Sequence, residues 1–170
     1  MPHSHGYIIE FLSAKAILDA YPLARLGAPD MAMRTWKRQA HAMIGRRNNR
    51  SRGILIARHV RQAHLCGMLS YRTVADPALG KILQASNVIA IDIADTRTIL
   101  HDLLAALRPR ALLQGCQKIQ LLISDMTNLS PELTGVIQEI DPACEIRHCL
   151  NISMGAAAPM RLRQPAWRLA

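Results

Sequence analysis

The chain has 170 residues, half of them hydrophobic but only 4% aromatic, and a formal net charge of +9. That length suits one domain with a substantial core of Leu, Ile, Val, Ala and Met. No apolar run reaches the ~18 residues of a membrane span, and the N-terminus MPHSHGYIIEF lacks a basic segment followed by an apolar one. A cytoplasmic protein without a membrane segment is expected.

The charge is uneven. Between Asp30 and Asp76 no acidic residue occurs, while Arg34, Lys37, Arg38, Arg46, Arg47, Arg50, Arg52, Arg58, Arg61 and Arg72 all lie there. Beyond Glu145 the chain is again free of acids and carries Arg147, Arg161, Arg163 and Arg168. Such a surface favours an anionic partner, through the basic region from Arg34 to Arg72. Cys66, Cys116, Cys144 and Cys149 show no CxxC spacing. Cys144, His148 and Cys149 lack a second ligand pair, so no metal is expected and the thiols read as small buried hydrophobes.

Taken in order, residues 7–12 (YIIEFL) read as a first strand. Ser13 caps a short helix over 14–21, which Pro22 ends or bends. Asp30 is a good N-cap for a second helix, with Met33, Trp36, Ala40, Met43 and Ile44 on one face and Gly45 closing it. Residues 46–52 (RRNNRSR) form an exposed basic loop. Without interleaved aromatics it is a poor nucleic-acid patch. Residues 53–59 and 65–74 form an antiparallel hairpin. Gly67 marks a bulge or a close backbone approach, and His59 and His64 are solvent-facing turn residues.

Residues 81–125 are the central unit: an apolar strand (ILQASNVIAIDI), a turn (ADTRT), a helix (ILHDLLAALRPRALLQG) and a second strand (CQKIQLLISD). That is a parallel βαβ unit covered on both faces, with a ligand expected where the first strand gives way to the helix. Pro109 should kink this helix or split it after Arg108. Ser130 and Pro131 start a further helix, 144–153 (CEIRHCLNIS) is a last strand, and 155–170 is a basic tail. The fold class is α/β (α+β): a single domain over 1–154, a mixed sheet with flanking helices. The low aromatic content and an edge strand near the C-terminus leave a homodimer open.

The order strand, helix, helix, hairpin, strand, helix, strand, helix, strand resembles the GNAT superfamily of N-acetyltransferases. The stretches IEFLSAKAILDAYPLARL, ARHVRQAHLCGMLSYR and LLAALRPRALLQGCQKIQLLIS carry the likeness, with Gly67 in the third strand and Gly115 closing the central helix. ISDMTN is similar to the end of the fifth strand and its asparagine, here Asn128. The resemblance covers about residues 7–153 and implies acetyl-CoA or another acyl-CoA as donor and an amine as acceptor.

Two departures stand against it. The family's glycine-rich pyrophosphate loop, Gln/Arg-x-x-Gly-x-Gly/Ala, corresponds to Asp95-Thr96-Arg97-Thr98-Ile99-Leu100, which has no glycine. The β-carbons crowd a backbone that must approach phosphate, and Asp95 and Asp102 add negative charge. Thr96, Arg97 and Thr98 remain phosphate-compatible beside the helix N-terminus; Thr96 or Thr98 also suits a plain N-cap. Second, Gly135 and Val136 stand where many members carry a tyrosine acid. By position the resemblance suggests the backbone of Ile91 and Ile93 for the thioester carbonyl. Glu10, Tyr71 and Asp92 are the polar candidates for catalysis, whose residue stays unknown. The expected activity is a divergent N-acetyltransferase moving an acyl group from acyl-CoA to an amine. The alternative is the same fold without catalysis, a binding or regulatory module for an anionic partner.

Overall fold

A computed structural model describes residues 6–44, 51–61, 64–78, 80–91, 95–123 and 130–140, together with the backbone of 149–153. Six strands form one mixed sheet in sequence order: β1 (Tyr7–Phe11), β2 (Arg52–His59), β3 (Leu65–Asp76), β4 (Gly80–Ala90), β5 (Lys118–Leu122) and β6 (Cys149–Ser153). Every neighbouring pair is antiparallel except β4 and β5, which run parallel. The crossover between those two holds α3 (Thr96–Ala105) and α4 (Leu107–Leu113), so the central βαβ unit is as expected. Among the described residues no helix is long and apolar enough to cross a membrane.

Alternation along the strands divides the core in two. Leu55, Ala57, Leu69, Leu83 and Ala85 point to one face and meet Ile99, Leu103 and Leu107 of α3 and α4, with Val136 and Ile137 of α5 (Pro131–Ile140). Ile54, Ile56 and Met68 point to the other and meet Leu23 of α1 (Tyr21–Gly27) and Trp36 and Ala40 of α2 (Met33–Ile44). Trp36 donates its buried indole N–H to the Ile17 carbonyl at 2.7 Å, which ties α2 to the segment before α1. Cys66 and Cys116 are buried, and neither forms a disulfide among the described residues.

Several expected boundaries move. The segment after β1 is a single 3-10 turn, Ala14–Ala16, and not a helix over 14–21. The helix begins at Tyr21, so Pro22 starts it instead of ending it. The first helical turn needs no N–H from its residues, and proline's fixed φ suits it. Asp30 does not cap α2. Residues 28–31 form a turn, closed by Met31 N–H to the Ala28 carbonyl, and the Tyr21 hydroxyl donates to the Met31 carbonyl at 2.8 Å. The helix therefore opens only at Met33.

The central helix breaks at Ala106, not after Arg108. Pro109 has no N–H for the Ala105 carbonyl four residues earlier, and its ring crowds that carbonyl. Gly115, with φ +65°, ends α4 in the left-handed conformation,. Ser130 caps α5 as expected, its hydroxyl accepting from Leu133 N–H at 3.1 Å. Gly45, residues 46–50, the tail 155–170 and the stretch 141–148 lie outside the described residues.

Candidate functional site: the split between β4 and β5

The site begins with one residue in an unusual conformation. Asn87, inside β4, has φ +53°, a left-handed geometry that asparagine tolerates better than most residues,. Opposite it the β3–β4 register slips: Met68 faces Ile89 but Ser70 faces Ser86, so β4 carries an extra residue. Side chains hold this bulge. The Asn87 amide donates to Ser70 Oγ at 3.2 Å, and Ser70 Oγ donates to the Ser86 carbonyl at 3.1 Å. Ser70 is buried, so these bonds also satisfy its hydroxyl.

Strands β4 and β5 pair only from Ile82↔Lys118 to Ala85↔Leu121, whereas β4 continues to Ala90. Among the described residues no β4–β5 pair follows Ala85↔Leu121, which leaves a gap in the pairing along the rest of β4. The β3–β4 pairing decides which backbone groups face it. Ile91 N–H donates to the Cys66 carbonyl at 2.7 Å, so Ile91 and, two residues back, Ile89 direct their backbone groups to β3. Val88 and Ala90 direct theirs to the open side. The N–H of Ile91 is thus bonded within the sheet. Ile93, Asp92 and Asn128 lie outside the described residues.

Next along the chain after β4 comes the N-terminus of α3. Its first intrahelical bond runs from Ile99 N–H to the Asp95 carbonyl at 3.0 Å, so the N–H groups of Thr96, Arg97 and Thr98 precede the helical ladder. Asp95 makes no side-chain cap. Its carboxylate accepts from the Tyr7 hydroxyl at 3.2 Å instead. Thr96 and Thr98 are half-buried at this end. Arg97 points elsewhere: it forms an ion pair with Glu139 of α5. Its guanidinium lies over Gly135, where an added Cβ would be 3.4 Å from Nη1. A glycine at that position leaves the room the guanidinium occupies.

The polar candidates sit apart from one another. Glu10 pairs with Arg58 at 2.7 Å on the β1–β2 ribbon. Tyr71 is only 2% exposed, in the core beneath α3 and α4. Its hydroxyl fills the space over Gly53, where an added Cβ would sit 2.9 Å away. Burial raises its pKa, partly opposed by Arg110. That is a packing position in the core. His59 is not a plain solvent-facing residue: its ring stacks on His64 with centroids 5.4 Å apart and meets Tyr7 edge-on at 5.3 Å. A cavity of about 390 Å³, lined by Asp19, Pro22, Leu23, His64, Leu65 and Ile91, lies beside this cluster.

Sequence reasoning missed Val88 and Ala90 because backbone direction depends on register, and register on the bulge. The available signal was Asn87 itself, a poor strand former inside an apolar run.

No family model matches the chain, and no curated protein matches it by sequence. Solved structures do. An N-acetyltransferase from Staphylococcus aureus Mu50 is similar with a TM-score of 0.66 at 10% identity, over 88% of this chain and 99% of that one. An aminoglycoside N-acetyltransferase in complex with CoA gives 0.61 at 15% identity over 99% of both chains. A ribosomal-protein-alanine N-acetyltransferase from Brucella melitensis biovar Abortus 2308 gives 0.60 at 14% identity, over 96% of this chain and 99% of that one. With its bulged β4, its short parallel β4–β5 pairing and these likenesses, the chain has the fold of the GNAT N-acetyltransferases.

Proposed function

We propose that this protein is an N-acyltransferase that moves an acyl group from acetyl-CoA or another acyl-CoA to an amine. The observation that carries the reading is the gap in pairing beyond Ala85↔Leu121, beside the Asn87 bulge on the strand that leads to α3. An extended donor can lie along such an edge. The backbone of Val88 and Ala90 would hydrogen-bond the donor's amide and thioester groups, as an added strand would. The N–H groups at Thr96, Arg97 and Thr98 would face the pyrophosphate, and the +9 charge of the chain suits that polyanion,.

Bound acyl-CoA supplies the activated acyl group. The amine nitrogen attacks the thioester carbonyl, the carbon–nitrogen bond forms, and the carbon–sulfur bond breaks to release the CoA thiol. A donor N–H from Val88 or Ala90 would stabilise the oxyanion that develops on that carbonyl. The amine must reach the gap unprotonated. No side chain among the described residues is assigned as its base.

The non-catalytic alternative draws on a different observation. With Arg97 held by Glu139 and no glycine before α3, the loop is poorly arranged for phosphate. A binding module would then use the basic region from Arg34 to Arg72 for its anionic partner. An acyl-transfer assay separates the two. Release of free CoA thiol from acetyl-CoA, dependent on an added amine, is the expected result. Its absence across a broad amine panel, with a well-folded sample, would favour the binding module.

A further inference from the structure

One row of side chains crosses the sheet on the face that carries α1 and α2. Arg52 of β2 lies opposite Arg72 of β3, Arg72 opposite Gln84 of β4, and Gln84 opposite Gln120 of β5. Arg52 and Arg72 are exposed. Ser51 and Thr73, the next pair along, are joined by a backbone hydrogen bond. Arg52↔Arg72 is therefore a non-hydrogen-bonded pair, the closer of the two cross-strand spacings. Like charges directly opposite each other oppose folding. Among the described residues no carboxylate forms an ion pair with either arginine.

The hydrogen bonds give the row a direction. Arg72 Nε donates to Gln84 Oε1 at 3.3 Å, and Gln84 Nε2 donates to Gln120 Oε1 at 2.7 Å. A guanidinium has no acceptor, so the atom facing Arg72 must be the Gln84 oxygen. That turns the Gln84 amide nitrogen toward Gln120, which must answer with its own oxygen. Both amide oxygens are used inside the row. What Arg72 and Arg52 still present to solvent is donors and positive charge, the complement of an oxyanion.

We propose that Arg52 and Arg72 form an oxyanion site that holds a carboxylate or phosphate of the acceptor amine, a proposal that rests on the acyltransfer reading for the word acceptor. Val88 lies four residues along β4 from Gln84, but the bulge spends one extra residue, so the span is roughly 10–12 Å at the rise of a strand. The site therefore selects amines whose acidic group lies on the order of 10 Å from the reacting nitrogen, within an arginine's reach of that span.

The test uses three probes at fixed ionic strength: inorganic phosphate, an extended ω-aminocarboxylate of about that length, and the alkylamine of equal length. Binding is measured on the full chain, on the Arg52→Gln/Arg72→Gln double variant, and on Arg72→Lys, which keeps the charge but not the Nε donor. Acyl transfer and the thermal shift with CoA are read separately. The expected result is about tenfold tighter binding of the ω-aminocarboxylate than of the alkylamine. The double variant should lose that difference, Arg72→Lys should be intermediate, and the CoA shift should stay unchanged. If the double variant binds phosphate and the ω-aminocarboxylate as wild type does, the site is overturned whatever CoA does. If the variant loses anion binding but wild type shows neither transfer nor a CoA shift, the oxyanion site stands and the acyltransferase reading falls.

Discussion

Single residues carry much of this architecture. Gly67 is where α3 comes closest to the sheet: an added Cβ would lie 2.6 Å from Ile99 Cγ2, 3.0 Å from Leu103 Cδ1 and 3.2 Å from Ala57 Cβ. Ile99, Leu103 and Ala57 are all fully buried, so none has space to retreat. Gly67→Ala should cost about 1–3 kcal/mol by overpacking, measured by denaturant unfolding; a neutral result would mean that α3 can lift from the sheet without loss. Cys116 and Tyr71 both favour the folded chain less as pH rises,. Burial raises the Cys116 thiol above its ordinary 9.0, with Thr73 and Lys81 partly opposing, and raises Tyr71 above its ordinary 10.0. Each group stays protonated in the folded chain at a pH where the unfolded chain has already lost the proton. Stability from both is present below those ordinary values and is lost as pH rises through the folded ones. Unfolding free energy should fall from about pH 9 upward, and Cys116→Ala should remove the earlier part of the decline. A pH-independent stability up to strongly alkaline conditions would contradict this. At this scale Gly67 was legible from the sequence, because a glycine in a strand has few uses. The fate of Tyr71 was not, because polarity alone does not separate a cleft tyrosine from a buried one.

Elements were legible where pattern and punctuation agreed. The central βαβ unit follows from two apolar runs around an amphipathic stretch closed by Gly115, and α5 follows from Ser130-Pro131. Boundaries failed where a long-range bond outweighed a local signal. The Tyr21 hydroxyl bonds into the 28–31 turn, and that turn postpones α2 past Asp30. The Arg97–Glu139 pair joins residues 42 positions apart and could not be read from either segment. Two substitutions test how elements make the site. Asn87→Val should cost about 1–2 kcal/mol for a left-handed, β-branched residue and should weaken CoA binding by closing the gap. Asn87→Gly keeps the left-handed backbone but loses the bond to Ser70, so it should keep CoA binding while losing about 1 kcal/mol of stability. Equal CoA affinity in the valine variant would detach the bulge from the site. Glu139→Gln frees Arg97. The pair is more than half exposed on both sides and adds little stability, so the melting temperature should hardly change while CoA binds more tightly. Unchanged affinity would show that Arg97 has no part in phosphate binding.

For the whole molecule, the order of elements along the chain and a mixed sheet with flanking helices were available from the sequence, and the solved structures agree with that fold at 10–15% identity. The chemistry was less legible. The groups that face the gap are the backbone of Val88 and Ala90, which any side chain could accompany, and the arginine row exists only after three strand registers are set. The central claim is that the gap between β4 and β5 receives acyl-CoA. The direct measurement is the thermal unfolding midpoint of the full chain against increasing acetyl-CoA and CoA. A ligand that binds only the folded state stabilises it by about 2.7 kcal/mol at a hundred times its dissociation constant. The account predicts a rise that follows the logarithm of ligand concentration above the dissociation constant and is weakened by Asn87→Val. A midpoint that does not move at millimolar ligand, in a sample that unfolds cooperatively, would contradict it.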